Sequence, residues 1–333
     1  MADKPVTPER IMQFWFSFAP PLMLEAAIEN RVFDALDSGP KTAEQVAAAT
    51  GASLRGVRML LDALTSIEML TKKSGTYALT PESATFLVST KPAFRGAMFR
   101  HVSRSIIPDW LKLTDAVRTG KPALSVNQEG TGAEFFAQFV EDLFANNYLT
   151  AQKLAEALPL AGAKRALDIA AGSGVWSIGL AEKWRDLQVT VVDWPPVIPV
   201  CQRVAKRHGV GDRYRYIPGD LLAVDYGTGY HVATLGHILH SEGEKRSREL
   251  LRKVFAALAP GGTVVIAEMV PNEERTGPPF ALFFALNMLI HTDAGDTFTF
   301  AEMKSWLEQV GFAKVRPLDV PGPAPLILAD KPA

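Results

Sequence analysis

The stretch that most constrains this 333-residue chain is Ala166 to Gly174, A-L-D-I-A-A-G-S-G. It reads as a short buried strand, a tight turn of small residues and a helix running to about Lys183. Small residues let the backbone approach a ligand, and a helix start presents unpaired N–H groups to a negative group. The dinucleotide pattern G-x-G-x-x-G is incomplete, because its third glycine position falls at Ser177. A P-loop would need Gly-Lys-Ser/Thr, which the stretch lacks. Asp168 lies inside the motif, where a carboxylate repels a pyrophosphate and suits an ammonium group.

The flanks narrow the choice. Asp193 closes the apolar run Val189-Thr-Val-Val-Asp, 19 residues after Gly174. An acid at such a strand end can accept both ribose hydroxyls of a nucleoside. A third acid, Asp220, ends Tyr214-Arg-Tyr-Ile-Pro-Gly-Asp. After Gly162 the chain alternates strand and helix, the pattern of a mainly parallel sheet covered on both faces. Strands are expected near 165–169, 188–192, 213–217, 231–236, 263–268, 313–319 and 325–329. Helices are expected near 174–184, 196–208, 244–259 and 300–310. Ligands bind such sheets at the carboxyl ends of the strands, where Asp168, Asp193, Asp220 and the residues around Gly236 fall.

The succession D-x-A-x-G-x-G, V-V-D-W-P, G-D and A-P-G-G-T-V-V-I-A-E resembles class I S-adenosylmethionine-dependent methyltransferases over about residues 164–331. The resemblance implies an α/β, Rossmann-like domain with a mainly parallel seven-stranded sheet. It also implies S-adenosylmethionine as cofactor and S-adenosylhomocysteine as product. Asp168 and the turn residues Ala170, Gly172 and Gly174 would hold the methionine end. Asp193 with Trp194 would take the ribose, and Asp220 with Leu221 would flank the adenine. Gly236 stands where the family has a lysine near the cofactor, and His237 would be a wall or cofactor contact. A Rossmann-like domain for another nucleotide is the alternative.

The N-terminal third reads differently. A helix over 22–37 ends at Ser38-Gly39-Pro40; Thr42 caps 43–50, Gly51 turns into 54–67, and a ribbon follows to Leu79. Helix, turn, helix and ribbon make a winged helix, which raises DNA binding as a rival function. The would-be recognition helix carries only Arg55 and Arg58, partly balanced by Asp62, and its face of Leu54, Val57, Leu60, Leu61 and Leu64 needs burial. The net charge of −1 gives no general electrostatic case for nucleic acid either. The segment resembles the dimerisation domain of small-molecule O-methyltransferases of the caffeate and acetylserotonin type, implying a homodimer. The expected organisation is therefore 1–100 for dimerisation, 101–160 as a helical linker roofing the active site, and 161–333 for the cofactor.

Ile11 to Ile28 is apolar almost throughout, but Pro20-Pro21 interrupts it and Glu25 adds a charge. Packing against a partner subunit explains it better than a membrane span. With 47% hydrophobic and 21% charged residues the composition is that of a globular chain. The single cysteine, Cys201, and a start without a signal-peptide core suit a cytoplasmic protein.

Methyl transfer from a sulfonium to a hydroxyl needs the acceptor aligned and its proton removed, which points to histidine. Six are present. In T-L-G-H-I-L-H-S-E-G-E the family resemblance makes His240 the base, with Ser241 where an aspartate is usual. Glu268 matches the acid that flanks the base, while the second flanking acid is replaced by Thr297. The acceptor would be gripped by Phe280, Phe283, Phe284, Asn287, Met288, Ile290 and His291, and roofed by Phe139, Phe144, Asn147 and Tyr148. Their bulk suits a largely apolar, flat acceptor with one polar handle, and the resemblance implies a small aromatic or polycyclic hydroxyl compound of the secondary-metabolite kind. His240 and His291 also match the metal-binding histidines of related C-methyltransferases acting on α-keto acids. That reading stays open, as does a family member that binds the cofactor without transferring methyl. No resident metal is expected on the favoured reading.

Overall fold

The A-L-D-I-A-A-G-S-G stretch lies at the centre of a seven-stranded sheet in a computed structural model that describes residues 6–126, 129–322 and 325–333. Two compact units are present, Met1–Pro108 and Asp109–Ala333. The segment expected as a linker thus groups almost entirely with the second unit.

In the second unit, a long helix α5 (Glu129–Ala157) precedes the sheet. There follow β3 (Arg165–Ile169), α6 (Val175–Lys183), β4 (Gln188–Asp193), α7 (Ile198–Arg207), β5 (Tyr214–Pro218) and β6 (Tyr230–Gly236). Next come α8 (Leu239–Ala257), β7 (Leu258–Ala267), α9 (Pro279–His291), α10 (Phe300–Val310), β8 (Ala313–Leu318) and β9 (Leu326–Asp330). The strand order is β5-β4-β3-β6-β7-β9-β8. Pairing is parallel from β5 across to β7 and antiparallel at β7–β9 and β9–β8.

Ala166, Leu167, Asp168 and Ile169 are all buried, as a central strand covered on both faces requires. Because β3 pairs with β4 on one side and β6 on the other, the chain switches direction at its carboxyl end and leaves a crevice. Gly174 starts α6 with φ 77°, and a Cβ there would sit 2.7 Å from the Cys201 sulfur. Gly179 lets α5 press against α6, since a Cβ would stand 2.8 Å from the Ala151 backbone.

Three differences from expectation have local causes. Helix α8 begins at Leu239, ahead of the expected 244, but Gly243 breaks it with φ 71° and ψ 169°. No side chain fits there, because a Cβ would lie 2.5 Å from the Ala294 carbonyl oxygen. Strand β7 begins at Leu258 and absorbs the Ala259-Pro-Gly-Gly turn, with an irregular register between Tyr230 and Val232. The apolar run 279–291, read only as acceptor contacts, is the helix α9, opened by Pro279 in its first turn.

The first unit contains α1 (Ala19–Glu29), α2 (Val32–Leu36), α3 (Ala43–Thr50), α4 (Leu54–Ser66) and the antiparallel hairpin β1 (Leu70–Lys73) with β2 (Thr76–Leu79). The helix expected over 22–37 is two helices, because Arg31 takes a left-handed φ of 55°. Thr42 and Gln45 form the reciprocal cap of α3. Val57, Leu61 and Leu64 of α4 are buried, whereas Leu54 is exposed. Arg58 and Lys72 both pair with Asp62, which also accepts from the Tyr77 hydroxyl at 2.7 Å. Two cations of the helix–ribbon region are therefore partly neutralised.

Candidate active site

A cavity of about 970 Å³, part of it open to solvent, lies in the second unit at the carboxyl ends of β3, β4, β5 and β6. Its floor is the turn after β3. Ala170, Gly172 and Gly174 take φ of 51°, 56° and 77°, which curls the backbone away from the strand direction. Gly172 donates its N–H to Asp193 Oδ2 at 2.7 Å, and the Trp194 N–H donates to Oδ1 at 2.7 Å. Each carboxylate oxygen keeps a further acceptor site. Burial pushes the Asp193 carboxyl up to about 6, against the pull of those two amides.

Ala170, Gly172, Asp193, Trp194, Leu221, Gly236 and His237 all line the cavity. Asp168, Gly174 and Asp220, expected as cofactor contacts, do not. Asp168 is buried behind the turn and accepts from the Thr234 hydroxyl at 2.6 Å. Burial raises its carboxyl, opposed by hydrogen bonding to Ser177 and Thr234. Gly174 lies against Cys201. Asp220 holds its loop: Oδ1 accepts from the N–H of Leu222 (2.9 Å) and Ala223 (3.2 Å), and Oδ2 from Arg246 (3.1 Å). Lys253 pins the same loop by donating to the carbonyls of Leu221, Leu222 and Val224. These three groups shape the wall rather than form it.

Gly236 has a steric reason to lack a side chain. A Cβ would lie 2.1 Å from Trp176 Nε1, so the indole occupies the space that the family's lysine would take. His237 follows with φ 60°, held by its N–H donating to the Ala267 carbonyl at 2.8 Å. Burial drives its imidazole down to about 4, so it is neutral near pH 7.

His240 and Glu268 come together as expected from the resemblance. Nδ1 of His240 lies 2.7 Å from Glu268 Oε2, and the His240 backbone N–H donates to Oε1 at 3.2 Å. This two-point contact leaves Nε2 without a partner among the described residues, and His240 lines the cavity. Glu268 is 3% exposed. Burial alone would raise its carboxyl, but the charge and hydrogen bond of His240 hold it below the usual range. The Phe284 ring meets the imidazole edge to face, with centroids 4.9 Å apart. Thr297 is fully buried and, as a threonine, supplies no carboxylate in place of the second acid.

On α9, Asn287 Oδ1 accepts from Trp110 Nε1 at 3.0 Å, and Met288 is buried. His291 Nδ1 stands 2.9 Å from the Asn287 carbonyl and Nε2 stands 3.1 Å from Asp109 Oδ2. Both ring nitrogens of His291 therefore already face oxygen atoms.

Helix α5 presents a face other than the one expected. Phe136, Val140, Leu143 and Asn147 line the cavity, at i, i+4, i+7 and i+11. Of the four roof residues predicted, only Asn147 is among them. Phe139 packs against the rings of Phe135 and Phe136. Phe144 and Tyr148 lie about 100° round the helix, stacked 4.8 Å apart and against His208. The Tyr148 hydroxyl sits 2.8 and 2.9 Å from the two Glu182 oxygens, and burial with that carboxylate pushes it up to about 12. Strict helical spacing from Asn147 was the signal that would have found Phe136, Val140 and Leu143.

Comparison with known proteins identifies the family. The O-methyltransferase dimerisation domain matches residues 12–89, and the O-methyltransferase domain matches residues 110–313. The chain is similar to 3-hydroxy-5-methyl-1-naphthoate 3-O-methyltransferase of Streptomyces sahachiroi, 34% identical over 300 residues, covering 88% of this chain and 86% of the relative. A Nostoc punctiforme structure described as an O-methyltransferase superposes with a TM-score of 0.91 at 31% identity, covering 98% of this chain and 100% of that one. Human N-acetylserotonin methyltransferase, solved with S-adenosylmethionine, gives 0.81 at 25% identity and covers 100% of both chains. With a mainly parallel sheet, a glycine turn at its switch point and both segments matched, the chain belongs to the S-adenosylmethionine-dependent O-methyltransferases with an N-terminal dimerisation domain.

Proposed function

We propose that this enzyme methylates a hydroxyl of a small, flat, largely apolar aromatic acceptor, with His240 as general base. The observation that carries the reading is the His240–Glu268 contact at the cavity wall, with Nε2 left open. The residues present suit S-adenosylmethionine. Gly172 lines the cavity with a left-handed φ of 56°, which favours glycine, so bare backbone faces the place proposed for a ligand's methionine end. The spare acceptor sites of Asp193 match a ribose diol.

The cofactor supplies a methyl group already activated on a sulfonium. The chain's task is to place the acceptor oxygen in line and take its proton. A phenol titrates near about 10, so at neutral pH its proton must leave as the new C–O bond forms. That proton passes to His240 Nε2, and Glu268 steadies the imidazolium from the Nδ1 side. Neutral His237 adds no second cation beside it. Phe284, edge-on to His240, supplies an apolar surface for a ring. The Streptomyces sahachiroi relative is named for a hydroxynaphthoate, an acceptor of this shape.

Metal-dependent C-methylation through His240 and His291 is less well supported, because both nitrogens of His291 already face oxygens. The decisive assay follows label from S-adenosylmethionine into a mixed panel of phenols and α-keto acids, with and without chelator. Label on a phenolic oxygen, insensitive to chelator, is the expected result. Chelator-sensitive label on a keto acid would overturn the base assignment.

The working unit is a homodimer in the same proposal. Segment Glu9–Glu29 is long and apolar enough to cross a membrane by composition, yet only 6% of that window is buried. It is broken into short helical pieces that expose Ile11, Phe14, Trp15, Phe16 and Phe18. An apolar surface of that extent within a dimerisation domain suits a second copy. Light scattering at micromolar concentration should give twice the chain mass, and Phe14→Asp should halve it; a monomeric wild type contradicts the dimer.

A further inference from the structure

Glu242 is a cavity residue that the methyl-transfer chemistry does not use. It is 4% exposed, yet it lines the cavity together with its neighbours His240 and Ser241. The break at Gly243 ends the turn there and keeps these three consecutive residues on the wall. One carboxylate oxygen, Oε2, accepts from Arg246 Nε at 2.5 Å. The other, Oε1, has no hydrogen-bond partner among the described residues, and Glu242 is part of the cavity lining. A buried carboxylate oxygen without a donor is costly, and a ligand that brings one is favoured.

The position selects the ligand group. Arg246 bridges Glu242 to Asp220, through Nη2 to Oδ2 at 3.1 Å, which sets Glu242 at the Gly219–Leu221 end of the cavity. That end lies beyond Asp193, the site proposed for ribose, so a nucleobase falls there. On the reading that this cavity holds S-adenosylmethionine, we infer that Glu242 selects the base by accepting a hydrogen bond from the 6-amino group of adenine. A 6-oxo purine presents an acceptor at the same point and would face the carboxylate oxygen lone pair to lone pair.

The test is calorimetric binding of S-adenosylhomocysteine and of S-inosylhomocysteine, its 6-oxo counterpart, to wild type, E242Q and E242A. Wild type should prefer the 6-amino ligand by about 10- to 100-fold, the range for a buried group left unpaired. In E242Q the amide can donate to a 6-oxo group, so the preference should fall below about threefold or invert. E242A should bind the 6-amino ligand more weakly and discriminate little. E242Q keeps the side-chain volume and an acceptor for Arg246, so it decides the question even if E242A fails to fold. Equal binding of both ligands by wild type, or an unchanged preference in E242Q, overturns the role of Glu242 while leaving the cofactor site standing. Failure of wild type to bind S-adenosylhomocysteine at all removes the cofactor reading and this inference with it.

Discussion

Two buried carboxylates serve the same cavity, Asp193 in its lining and Glu268 behind His240, and they are driven in opposite directions. Among the described residues Asp193 receives two backbone N–H groups and no cation, and burial pushes it up to about 6. Glu268 is buried too, but His240 lies 2.7 Å away and holds it below the ordinary carboxylate range. Two neutral donors do not offset the loss of water around a charge, whereas an imidazole that can itself become charged does. The cavity therefore has one end kept ionised for proton transfer. Its other end is an acceptor whose charge depends on pH and on what binds.

Substitutions at the two ends should separate these roles. Taking the imidazole away, in H240A, should cost about 10²- to 10⁴-fold in kcat, the range for a general base. E268Q keeps the shape and loses the charge, so kcat should fall by about 10- to 100-fold with KM for the cofactor little changed. A drop in cofactor affinity with kcat intact would place Glu268 in binding instead. At the other end, D193N should weaken S-adenosylhomocysteine binding by about tenfold at pH 7, a buried hydrogen-bond loss. Burial pushes the Asp193 carboxyl up to about 6, and a ribose diol, a pair of donors, prefers the carboxylate. Wild-type affinity should therefore rise from pH 5 towards pH 7, and the rise should vanish in D193N; a flat wild-type profile contradicts the assignment.

The smallest effect is on stability. A Glu268 carboxyl held below its unfolded value stabilises the folded state above about pH 4.5, and that contribution is lost as pH falls through the folded value. Thermal melts should show wild type above E268Q by a few degrees at pH 7. The gap should narrow as pH falls below about 4.5, and a gap that widens in acid has the wrong sign.

Much of the sheet was readable because parallel strands are continuous apolar runs punctuated by glycine, and β3 and β4 fall where the pattern places them. The His240–Glu268 pairing was suggested by two motifs that lie 28 residues apart and meet only because β6 and β7 are neighbours. What the pattern hid was side-chain direction. Phe144 and Tyr148 have the bulk of pocket residues, but their helical face turns to His208 and Glu182. Asp168 and Asp220 sit in the right motifs, yet one is sealed behind the turn and the other is occupied by its own loop and Arg246. Glu242 carries no sequence signal of its place, because a charged residue on an amphipathic helix usually faces water; the Gly243 break puts it on the cavity wall.

The most direct test of the account is single-turnover methyl transfer to a phenolic acceptor by H240A, with S-adenosylhomocysteine affinity measured on the same preparation. Cofactor affinity should stay within about twofold of wild type, and the transfer rate should fall by about 10²-fold or more. Undiminished transfer by a variant that still binds the cofactor would contradict the claim that His240, steadied by Glu268, removes the acceptor's proton.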